Sequence, residues 1–154
     1  MSLTRLVEET NQEMDDVKET VEKTISSIFP KSTVVVSSMA LGGDSLYVKF
    51  ALGGNQKEFR NGIIDNDTAL TQFSIEGFGS GEWIVERFRG SGFSIEDESG
   101  RYHFETIKVP FRKSRAKDVK KLEAIFKKYF TTLKTEMKKY GDRVQNFDLI
   151  GKNI

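Results

Sequence analysis

The 154 residues carry 24 Lys and Arg against 23 Asp and Glu, one His, no Cys, and hydrophobic and charged fractions of 37% and 31%. That length fits one domain with an adequate core. The absence of cysteine excludes disulfides, thiolate catalysis, iron–sulfur ligation and zinc fingers, and with no apolar run of membrane length and no leader-like start, a cytosolic protein without membrane contact is expected.

The near-neutral sum conceals a segregation. Residues 1–30 hold three basic and seven acidic side chains, whereas residues 108–143 hold thirteen basic and four acidic. Such ends either attract each other or present a charged surface to a partner.

Residues 4–28 have helical periodicity. Val7, Met14, Val21 and Ile28 fall seven apart with Leu3 and Val17 on the intervening heptad positions, where Thr10 and Thr24 weaken the seam. The stripe fits the body of the domain, and alternatively a copy of itself in a second chain. Pro30 ends the helix, because the residue before a proline avoids helical dihedrals.

Six strands are expected next, at 33–38, 46–52, 71–78, 82–89, 93–97 and 102–111. Their apolar alternation is punctuated by Gly42-Gly43, Gly79-Ser80-Gly81 and Gly90-Ser91-Gly92, which read as antiparallel reversals in meander order. Asn61-Gly62 is a further turn signal inside an irregular stretch at 53–68. Trp83 and Val85 on one side with Ile84 and Phe88 on the other mark a central strand. In the last strand the apolar set changes parity between Tyr102, Phe104 and Ile107, Val109, Phe111, which implies a bulge or a strand covered on both faces.

Residues 114–140 form the longest amphipathic pattern. Val119, Leu122, Phe126, Tyr129, Phe130, Leu133, Met137 and Tyr140 make one apolar stripe, with Ser114 as the expected N-cap and Gly141 as the stop. Beyond it, Val144, Phe147, Leu149 and Ile150 make a tail over 142–154 that is expected to dock on its own domain or on a neighbour. The predicted fold is α+β: an N-terminal helix, about six antiparallel strands as a curved sheet or partial barrel, and a long basic helix packed on the sheet.

Candidate chemistry is sparse. His103 and Glu105 share a strand face and have the composition of a base with its orienting carboxylate, but a solvated pair is the ordinary reading. Asp65, Asp67 and Glu76 match three calcium-loop offsets, yet Ala69 and Leu70 stand where a ligand and the glycine belong, so no metal is assigned. Gly77-Phe78-Gly79-Ser80-Gly81 precedes a strand rather than a helix and reads as a turn. No cofactor is expected.

The basic concentration is the clearest signal. Arg112, Lys113, Arg115, Lys117, Lys120 and Lys121, joined by Arg87, Arg89 and Arg101, can neutralise phosphates, with Tyr47 or Trp83 to stack bases. The leading expectation is nevertheless a small non-enzymatic binding or assembly module with a protein partner or a second copy, associating through Val7, Met14, Val17 and Val21 or through Phe147, Leu149 and Ile150. Nucleic-acid binding by the basic helix is the second reading, and an enzyme or small-ligand binder near His103 the third.

Overall fold

The computed structural model describes residues 3–30, 32–38, 45–52, 69–89, 92–106 and 109–140. Helix α1 (Leu3–Ile28) leads into β1 (Ser32–Ser38), β2 (Ser45–Leu52), β3 (Ala69–Glu76) and β4 (Trp83–Arg89). A hairpin of β5 (Gly92–Glu96) and β6 (Tyr102–Thr106) follows, then the short β7 (Ser114–Ala116) and helix α2 (Val119–Lys138). The fold is α+β. Among the described residues its main sheet is antiparallel, open and five-stranded, in the order β1-β2-β3-β4-β7, while β5 and β6 pair with each other in a second sheet.

Three expectations are corrected here. The six strands do not form one meander, because the chain leaves the main sheet after Arg89 and the place beside β4 goes to β7, through Trp83–Ala116, Ile84–Arg115 and Val85–Ser114. The expected last strand, 102–111, is shorter, and Ile107, where the parity changes, lies outside the described residues. β6 stops at Thr106, and Val109 to Phe111 are not strand, as Pro110 has no N–H to give a ladder. Ser114 is therefore a strand residue, and the N-cap is Asp118, whose carboxylate accepts the Lys121 N–H at 2.8 Å. Gly42-Gly43, Asn61-Gly62 and Gly141 lie outside the described residues.

Both helices cover one face of the sheet. Alternation along the strands sends Leu46, Val48 and Phe50 from β2, Phe73 and Ile75 from β3, and Trp83 and Val85 from β4 into the core, where β4 is an interior strand. From α2 come Leu122, Phe126, Tyr129, Phe130, Leu133 and Met137, so the basic helix buries its stripe against its own chain. Val119, at the first turn, is 37% exposed and takes no part.

The core is aromatic at its centre. Phe73 lies with ring centroids 5.3 Å from Phe126, 4.9 Å from Tyr129 and 5.1 Å from Phe111, all near edge-to-face. Phe50 touches Phe29 at 5.0 Å and Phe130 at 4.9 Å. Each such pair adds roughly 0.5–1.5 kcal/mol beyond the area it buries.

Helix α1 lies beside α2 on the same face. Met14, Val17 and Val21 are 7%, 0% and 1% exposed, and these three pack in the chain's own core. Thr24 fits there because its hydroxyl donates to the Thr20 carbonyl at 2.8 Å. At the far end, the Lys134 ammonium donates to the Ile28 carbonyl at 3.0 Å, a cation on a helix C-terminus, and partial burial with Lys138 nearby holds it below the usual lysine range.

Candidate binding groove

After the β5–β6 hairpin, residues 109–113 have no regular secondary structure before β7, and they lie alongside α2. Arg87 fixes it there. From the core-facing side of β4, the Arg87 guanidinium donates to the Val109 carbonyl and lies 3.5 Å from the Tyr129 hydroxyl and 5.8 Å from the centre of that ring. The Tyr129 hydroxyl in turn donates to Thr71 Oγ1 at 3.3 Å, tying the assembly to β3. Arg87 thus braces the fold from within.

Between this segment and α2 lies a groove of about 610 Å³. Its floor and walls are apolar, from Pro110, Phe111, Ala124, Ile125 and the ring of Tyr129, and Arg112, Lys121 and Lys128 stand on its rim. All three cations are exposed, and among the described residues none of them is in an ion pair. No carboxylate or histidine lines it among the described residues. On α2, Lys121, Ile125, Lys128 and Thr132 follow at steps of four, three and four, a second stripe beside the buried one. Ile125 was not singled out by the sequence because one apolar residue among lysines makes no pattern alone.

The remaining basic candidates separate by environment. Arg115 is paired with Glu82 at 2.8 Å across the β4–β7 edge. Lys113, Lys117 and Lys120 are exposed around the start of α2, continuing the basic surface beyond the groove. Arg101 sits apart, exposed beside the β5–β6 turn, and the side chain of Arg89 lies outside the described residues. Trp83 is 6% exposed with its indole N–H given to Glu13, and Tyr47 is half-buried.

His103 and Glu105 are on β6, in the separate hairpin, with their side chains outside the described residues. The side chain of Val7 and the tail residues Phe147, Leu149 and Ile150 are outside them too. Among the described residues no group of three or more His, Asp or Glu is placed to hold a metal ion, and no helix is long and apolar enough to cross a membrane. No protein-family model, no curated protein and no solved structure matches this chain.

Proposed function

We propose that this chain is a non-enzymatic binding module of the cytosol that takes an acidic protein segment with one apolar anchor residue into the groove between residues 109–114 and α2. The observation that carries this reading is the rim of unpaired cations, Arg112, Lys121 and Lys128, around an apolar floor. Had the acidic first helix neutralised the basic second one, the charge asymmetry would be spent internally. Among the described residues no ion pair joins α1 to α2.

The dimensions suit a short extended segment. Lys121 to Thr132 spans roughly 16 Å of helix at 1.5 Å per residue, the length of about five extended residues. Burying one large apolar side chain is worth about 1.5–3 kcal/mol and each exposed ion pair about 0.2–1 kcal/mol, and the ion-pair part weakens with added salt.

The same cations, with Lys113, Lys117 and Lys120, also suit a phosphate backbone, and that second reading makes an opposite demand on Ile125. The test selects a display library of short peptides on the immobilised protein, then measures the selected peptide and a random-sequence nucleic-acid duplex against variants. Selected peptides should be acidic with a central apolar residue, and should weaken about tenfold with both K121E/K128E and I125K. I125K adds a cation, so duplex affinity would hold or rise. Peptides without acidic bias, or duplex binding that outlasts peptide binding, would overturn the proposal.

A further inference from the structure

The two edges of the main sheet are unlike. At one edge β7 is only three residues long, carries the Arg115–Glu82 ion pair and follows Pro110, all features that discourage further strand pairing. At the other edge β1, Ser-Thr-Val-Val-Val-Ser-Ser, has seven residues with no charge and no proline, and its register with β2 runs without a bulge from Ser32–Leu52 to Ser38–Leu46. Among the described residues no strand occupies its outer side. An uncharged edge of this length, rich in β-branched residues and without a bulge, is a template for another strand.

We propose that β1 pairs antiparallel with β1 of a second copy of this chain, about a two-fold axis through Val35. The strand reads almost the same in both directions. With Val35 opposite Val35 of the partner subunit, Val34 meets Val36 of the partner subunit, Thr33 meets Ser37 of the partner subunit and Ser32 meets Ser38 of the partner subunit. Valine opposes valine and hydroxyl opposes hydroxyl, which are favourable cross-strand pairs, and no like charges oppose. Val34, half-buried in one chain and packed on its core, gains a neighbour from the other. Because β7 is blunted, β1 of one copy has no long opposite edge to join, so the contact closes as a symmetric dimer instead of propagating. Two edges of seven residues bury little area, and the dimer forms with rising concentration.

Sedimentation velocity on the full chain tests this. The wild type should pass from the 17.5 kDa of one chain towards twice that mass between about 1 µM and about 1 mM. V35K and V35E should each place a charge against its own copy and raise the dissociation constant at least about tenfold, whereas an equimolar mixture should recover a heterodimer through the opposed Lys and Glu. Should V35K not fold, T33K/S37K sets lysine against lysine at a position where Ser37 is already exposed, and should give monomer. A wild type that stays monomeric throughout, as when the chain's own residues 141–154 fill the edge, overturns the proposal. So does a dimer indifferent to these charges, or a mixture that fails to re-associate.

Discussion

The Glu13 carboxylate accepts the indole N–H of Trp83 and, 66 residues away in sequence, the backbone N–H of Gly79 at 3.1 Å. One acidic side chain of α1 thereby holds the β3–β4 turn and the first residue of β4 to the helix. Removing it leaves a buried indole N–H without its acceptor, a cost of about 1–3 kcal/mol. Glu13→Ala should lose that much in urea unfolding followed by the single tryptophan, and Glu13→Gln, which retains an amide oxygen, should lose less. Equal stability of Glu13→Ala and wild type would show that the contact contributes nothing.

The turn that Glu13 grips depends on glycine in two separable ways. Gly77 has φ +95°, and a Cβ there would collide with the Glu82 carbonyl oxygen, while Gly81 has φ +88° with nothing within 4 Å of that position. Gly81→Ala meets backbone strain alone, about 1–2 kcal/mol. Gly77→Ala meets strain and the collision together, so thermal denaturation should show the larger loss for Gly77→Ala. The reverse order would be inconsistent with the geometry of the turn.

Arg87 was a candidate phosphate ligand, and its setting makes it a brace behind the groove. Arg87→Met leaves the Val109 carbonyl without its charged donor, at about 1.5–3 kcal/mol of stability, and frees the wall of the groove. Arg87→Lys keeps the charge but not the planar fork, and should recover only part. Both should weaken binding of an acidic peptide with little change in its salt dependence, since Arg87 faces inward. A reduced salt slope would return Arg87 to the ligand-facing set.

Burial raises the carboxyl of Glu22 above its ordinary pKa of 4.5, against the attraction of Lys18 and with the repulsion of Glu19. The folded chain therefore holds this proton more tightly than the unfolded chain. The contribution favours folding below the unfolded pKa and is lost as pH rises through the raised value, so ionised Glu22 is a small liability at neutral pH. Glu22→Gln should be more stable than wild type at pH 7 and indistinguishable below about pH 4 in paired denaturation curves. No gain at pH 7 would refute the assigned cause.

Periodic elements were legible in the sequence and non-local closures were not. The stripe from Leu122 to Met137 and the alternation from Leu46 to Phe50 are local patterns, and the helix and strand stand where those patterns place them. β7 is three residues long, two of them polar, and carries no period to read. Its pairing with β4 depends on the chain leaving the sheet for the β5–β6 hairpin and returning, which glycine spacing does not encode. Ser114 and Asp118 are both good caps, and only the ladder to Val85 decides between them. The groove was half legible. Its lysines stood out, but its floor joins Phe111 to Ile125 through a segment that Arg87 holds from another strand.

Backbone chemical-shift mapping during titration with an acidic, apolar-anchored peptide locates the recognition surface directly. The largest perturbations should fall on Val109, Phe111, Arg112, Lys121, Ile125 and Lys128, and should vanish in I125K. Perturbations that instead follow β1 or the β5–β6 hairpin, or that spread evenly over every exposed lysine, would contradict a binding site in the groove.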